Sequence, residues 1–163
     1  MSRLFEQLRK RKDDRGMMAN LRCILVDNKK HRAWPVLNRL GVAIKDDVLS
    51  FVAGLYAIHS EETGKGNFGN TCKNIQGKRD EKHGDEGKLT PTERRFQHLL
   101  AATDRNELQD RLLRMVLMAK AHDVRVNYEQ LAADIGHWND RTKNEWASSF
   151  WAQGASLPEE EGK

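Results

Sequence analysis

The sequence predicts an all-α protein of two small helical bundles joined by a polar loop, and three observations predict it. Proline occurs only at Pro35, Pro91 and Pro158, so long helices are permitted almost everywhere. Apolar residues recur at three- and four-residue spacing, and alternating strand patterns are absent. Residues 77–88 (Gly-Lys-Arg-Asp-Glu-Lys-His-Gly-Asp-Glu-Gly-Lys) hold no apolar residue at all, which reads as an exposed loop. These divide the chain into an N-terminal helical lobe (1–76), the loop (77–88), a C-terminal helical bundle (89–157) and an acidic tail (158–163). A hydrophobic share of 38% against 32% charged residues, with mean hydropathy −0.78, suits slender helices with wide polar faces. A chain of 163 residues buries enough surface to fold without disulfide or metal staples.

Taken in order, Ser2 to Asp14 form a charged first helix with Leu4, Phe5 and Leu8 on one side. A second runs from Asp14 to Asn28, with Met17, Met18, Leu21, Ile24 and Leu25 as its apolar stripe. Ala33-Trp34-Pro35-Val36-Leu37 is a short helix closed by Gly41. Asp46 or Asp47 caps a helix through Val48, Phe51, Val52, Leu55 and Ile58. After a Gly-rich loop from Ser60 to Asn67, a short helix spans Phe68 to Ile75. Thr90-Pro91-Thr92-Glu93 is a capping box with proline at the first helical position. Asp104 to Glu107 resembles a second box, opening a helix with Leu108, Leu112, Met115, Val116 and Ala119 on one stripe. Asn127 caps a helix through Leu131, Ile135 and Trp138, and Asp140 caps the last, with Trp146, Phe150 and Trp151. Trp34, Trp138, Trp146 and Trp151 could stack bases, but their helical spacing among apolar neighbours makes them core residues first.

Motifs for catalysis fail one by one. None of the six histidines sits in HExxH or at metal-ligand spacing. Gly64-Lys65-Gly66-Asn67 lacks the glycine of a phosphate loop, His59 standing in its place. The adjacent pairs Glu61-Glu62 and Asp46-Asp47 do not face a common point on a helix. No GxSxG elbow occurs. No catalytic residue, metal or cofactor is expected. Cys23 and Cys72 form neither a disulfide framework nor a metal motif, and reduced thiols point to the cytoplasm. No signal peptide or membrane span is expected.

What remains is positive charge. The net charge of +4 is modest, but residues 1–40 hold eleven Lys/Arg against four acids, a net +7. Arg15 and Arg22 stand two turns apart on the second helix, with Lys29, Lys30 and Arg32 beyond it. Arg94 and Arg95 open the capped helix. Arg111 and Arg114 lie on the flank away from the Leu108/Leu112 stripe, with Lys120 and Arg125 near that helix's end, and Arg141 and Lys143 open the last helix. Guanidinium groups match phosphate oxygens by a two-pronged geometry, and rows of them track a backbone without reading bases. The competing reading is an ordinary solvated face with partners such as Glu107–Arg111 and Asp110–Arg114, on a helical scaffold or regulator that binds protein.

These residues resemble one family, the small subunit of the type I-E CRISPR surveillance complex Cascade, called the CasB family. The resemblance lies in Ala33-Trp34-Pro35-Val36-Leu37 with Gly41, in Val52 to His59, in Gly66-Asn67-Phe68-Gly69 and in Glu93 to Ala101. It continues in Val126 to Ile135 and on through Trp138, Arg141, Trp146, Ala147, Phe150 and Trp151. The resemblance implies an all-helical protein of two bundles, forming a homodimer of small subunits beside the crRNA-containing backbone and large subunits of the complex. It implies contacts to the target strand and the displaced strand that stabilise the R-loop, single-stranded DNA being the ligand. It implies no active site, cleavage falling to a recruited helicase-nuclease. Carried onto this sequence, Arg15, Arg22, Arg111, Arg114, Arg125, Arg141 and Lys143 become candidate strand contacts.

Overall fold

The computed structural model describes residues 2–82 and 87–152. The acidic tail 158–163 and residues 83–86 of the polar loop lie outside the described residues. Among those described, the secondary structure is helical, with one isolated parallel bridge between Glu62 and Val126.

Helix α1 (Ser2–Arg11) buries Leu4, Phe5 and Leu8, as its spacing predicts. Helix α2 (Arg15–Arg22) is capped by the Asp14 carboxylate, which accepts from the Met17 amide at 3.0 Å. It does not continue to Asn28. The chain tightens at Cys23 into two 3₁₀ segments, Cys23–Leu25 and Asp27–Arg32. The reason is tertiary. Ile24 and Leu25 close over Gly54 of the neighbouring helix, where a Cβ would collide with the Ile24 side chain, and this close approach bends α2's stripe onto that neighbour.

Helix α3 (Trp34–Arg39) ends at Gly41, whose φ of +79° suits a residue without Cβ. Helix α4 (Asp47–Ile58) is capped by Asp46 and buried along most of its length. Helix α5 (Phe68–Lys78) runs past the expected end at Ile75 and takes the first two residues of the polar loop, Gly77 and Lys78. Its start is a reciprocal capping box between Asn67 and Asn70.

Helix α6 (Pro91–Leu100) begins with the expected Thr90/Glu93 box. Helix α7 (Arg105–Ala121) buries the five stripe residues named above. Only half of its predicted box forms: Asp104 accepts from the Glu107 amide, while the Glu107 carboxylate turns to Thr103 and Arg111. Helix α8 (Tyr128–Gly136) ends before Trp138, and α9 (Asp140–Trp151) is capped by Asn139, not Asp140, through the Thr142 amide at 3.0 Å. Asn139 is extended, so its side chain is placed to cap; Asp140 becomes an acid in the first turn, which the helix dipole favours.

The buried apolar residues form one continuous cluster from Leu4 to Phe150. Helix α5 packs chiefly on α9, and α2 on α4. At the first seam Gly69 is forced by proximity, since a Cβ there would run into the Trp146 carbonyl. Segments around His59 and Val126 latch the two halves of the chain. His59 Nε2 lies 2.6 Å from the Val124 carbonyl, the Tyr128 hydroxyl donates to the His59 carbonyl, and the Val126 amide donates to Glu61 at 3.1 Å. Arg9 spans the same latch, its guanidinium gripping both Glu62 oxygens at 2.8 and 3.0 Å.

Candidate nucleic-acid interface

The predicted cations divide by what their charged ends touch. Arg111 is largely enclosed, its side chain 18% exposed. It pairs with Glu107 at 2.7 Å and donates to the His98 carbonyl in the last turn of α6, also at 2.7 Å. Carbonyls in a helix's last turn lack intrahelical donors, so this guanidinium stitches α7 to α6. Arg22 does the same elsewhere, donating from Nε to the Ala57 carbonyl in the last turn of α4 at 2.8 Å. Arg111 is thus engaged within the fold, while Arg22 stays exposed and gives its Nε to a helix end.

Others are surface pairs. Arg141 meets Glu145 at 3.1 Å, Lys30 meets Asp27 at 3.5 Å, and Lys143 lies 5.6 Å above the Trp138 ring. Arg125 is half-buried and partnered. The set left exposed without a carboxylate among the described residues is Arg15, Lys29, Arg32, Arg94, Arg95, Arg114 and Lys120. The expected Asp110–Arg114 pair is not among the ion pairs of the described residues.

The structure brings Lys29, Lys30 and Arg32 together on one short exposed element, the 3₁₀ segment Asp27–Arg32, which buries none of its residues. Arg94 and Arg95 share the exposed face of α6, while Arg114 and Lys120 lie along α7.

The tryptophans divide too. Trp146 is fully buried, and its indole N–H donates to the buried Asp134 carboxylate at 2.7 Å. Trp138 is partly buried against the core, its N–H 3.4 Å from the Ala102 carbonyl. Trp151 is 38% exposed and donates to Glu93 at 2.8 Å. Trp34 is 41% exposed and stands with the cations, contrary to the core placement expected for it. The signal for this was in the spacing. Ala33, Val36, Leu37 and Leu40, all buried, make an i, i+3, i+4, i+7 stripe, and Trp34 stands off it.

Ionisable groups elsewhere serve the fold. Burial pushes the Cys72 thiol up and, with Glu62 nearby, the Tyr56 hydroxyl up to about 12. At Glu81 burial acts to raise the carboxyl, but the Thr92 amide, Arg79 and the threonine hydroxyls together hold it below its ordinary value. Among the described residues no three His, Cys, Asp or Glu side chains are placed to hold a metal ion, and no helix is long and apolar enough to cross a membrane.

The family described as CRISPR-associated protein Cse2 matches residues 17–151. The chain belongs to the Cse2 family. This is the family that the CasB resemblance indicated. The fold agrees with solved members. CasB from Thermus thermophilus superposes with a TM-score of 0.68 at 19% identity, over 91% of this chain and 93% of that one. A second Thermus thermophilus structure, of a CRISPR-associated protein of the Cse2 family, gives 0.70 at 19% identity with the same coverage. CasB from M. ruber gives 0.60 at 22%, over 83% of each chain. No match was found among curated protein sequences. At these identities the solved structures speak to fold alone, and they show that this Cse2 protein shares its helical arrangement with CasB.

Proposed function

We propose that this Cse2-family protein is a non-catalytic small subunit of Cascade that holds the target and displaced DNA strands without reading their sequence, thereby stabilising the R-loop in antiviral defence. The observation that carries this reading is the exposed 3₁₀ segment, where Lys29 and Arg32 face solvent with no carboxylate partner among the described residues. R-loop formation exchanges one duplex for another of similar stability, so modest backbone contacts tip it. Arg15, Arg94, Arg95, Arg114 and Lys120 add exposed positive charge at other points of the surface. Arg22 and Arg111 drop to a supporting role, since their guanidinium groups are engaged within the fold. The partners of this reading are single-stranded DNA, the crRNA-containing complex and a second copy of the chain.

The test is salt dependence. The full chain should bind single-stranded DNA at low salt, with log affinity falling linearly against log salt by about 0.7 per phosphate contact. Absence of binding at low salt, or binding indifferent to salt, would favour the alternative of a protein-binding helical scaffold. In the reconstituted complex, reversing charge at Lys29 and Arg32 should lower R-loop yield on a matched target. An unchanged yield places the strand on another face.

A further inference from the structure

We infer that Trp34 is a stacking platform for an unpaired nucleobase, with Lys29 and Arg32 holding the adjoining phosphates. This rests on the strand-binding reading above and assigns it a base contact, which charge alone does not supply.

The geometry of the segment carries the inference. A 3₁₀ helix has about three residues per turn and rises about 2 Å per residue, so side chains three apart eclipse one another. Three rows result. Asp27 and Lys30 form one and pair along it at 3.5 Å, and Ala33, which follows the segment, is fully buried. Lys29 and Arg32 form the second, both exposed. Asn28 and His31 form the third, and just beyond it Trp34, the first residue of α3, meets the His31 ring edge-on, with centroids 6.4 Å apart and planes at 73°. Lys29 and Arg32 and the His31–Trp34 pair therefore lie together on the exposed stretch where the 3₁₀ segment runs into α3.

The edge-on contact matters for what Trp34 can bind. Rings at a steep angle do not stack face to face, and the indole beside His31 stays 41% exposed. A single exposed apolar residue is ordinary on a protein surface. An indole braced by a second ring, set off the buried stripe of its own helix and flanked by Lys29, Lys30 and Arg32 within five residues, is a different arrangement. Single-strand binders combine these parts: positive charge that tracks the backbone, and aromatic faces on which bases stack regardless of sequence. A protein-docking patch would instead carry an apolar centre depleted of lysine. The cationic surroundings favour a nucleic-acid strand.

The experiment compares two probes on the full-length protein by fluorescence anisotropy at low salt: an oligothymidylate of about fifteen nucleotides, and the same strand with abasic sites replacing the bases. Trp34→Ala should weaken oligothymidylate binding about fivefold or more, since stacking is worth about 1–3 kcal/mol per base. It should leave the salt slope and the abasic strand's affinity unchanged. Trp34→Phe should restore most of the loss, and thermal melts should show Trp34→Ala as stable as the parent. Lys29→Glu with Arg32→Glu should weaken both probes and flatten the slope. Equal loss on both probes, or no loss on either, overturns the stacking assignment while the phosphate reading stands. A change in self-association with strand binding intact also overturns it, assigning the indole to a protein contact. If the parent protein binds neither probe, the strand-binding reading itself falls.

Discussion

Arg111 on α7 and Arg32 on the 3₁₀ segment are the same residue type and both belong to the predicted basic set, yet they do opposite things. Arg111 is enclosed between Glu107 and the last turn of α6. Arg32 is exposed on an element that buries nothing. Helices α6 to α9 use these polar groups inward. Trp146 donates to Asp134, Trp151 to Glu93, and Arg111 to a helix end. Residues 27–34 turn theirs outward. A count of positive charge cannot separate the two regions; tracing the partner of each charged atom does. An enclosed guanidinium with two acceptors has little left for a phosphate, and displacing it would expose an unpaired carbonyl and carboxylate.

Four measurements would break or sharpen that contrast. The largest effect belongs to the inward-facing region: Gly69→Ala should destabilise the protein by about 3 kcal/mol, at the upper end of overpacking costs, because the added Cβ meets the Trp146 backbone carbonyl rather than a movable side chain. Urea denaturation of the two proteins reads this directly. An unchanged midpoint would mean that α5 and α9 can separate freely. Next, Arg111→Ala should cost about 1.5–3 kcal/mol, the range for losing hydrogen bonds to a charged group, while oligonucleotide affinity stays within twofold. Affinity loss without destabilisation would erase the distinction between the regions.

The double variant Lys29→Glu/Arg32→Glu should behave in the opposite way. Stability should stay within about 0.5 kcal/mol, as for other surface changes, while the salt slope of strand binding falls by about 1.4 through two lost phosphate contacts. The smallest effect concerns Glu81, which accepts from the Thr92 amide at 3.0 Å and its hydroxyl at 2.8 Å, tying the polar loop's start to α6. Its folded pKa lies below the unfolded value. Its contribution is therefore complete above the ordinary Glu value of about 4.3, and is lost as pH falls through the lower folded value. Glu81→Gln should narrow the difference in melting temperature between neutral and acid pH. A pH profile identical to the parent's would show that the tie contributes nothing.

Much of the fold was legible because local physics decides it. Asp46, Thr90, Asp104 and Asn127 cap helices where their short polar side chains predict. The stripe of α7 is buried residue for residue. Local preference fails where a distant contact overrides it. The second helix stops at Arg22 because Ile24 and Leu25 must meet Gly54, thirty residues and two elements away. The cap of α9 falls on Asn139 because the chain leaving Trp138 is extended there. The candidate site was legible as a set of basic residues and as a family. Which of those residues face outward was not, since the acceptors that claim Arg22 and Arg111 are carbonyls on other helices. A backbone carbonyl belongs to every residue type and leaves no trace in composition.

The sequence by itself determined the all-helical class, most helix starts, the buried stripes and membership of the Cse2 family. Each follows from a residue's relation to neighbours within a turn or two, or from an ordered set of such patterns. Only the tertiary structure decided which cations hold the fold together and which stay free, and that Trp34 stands among the free ones. That division depends on what lies across a seam from each side chain, and seams are made by residues far apart in the chain.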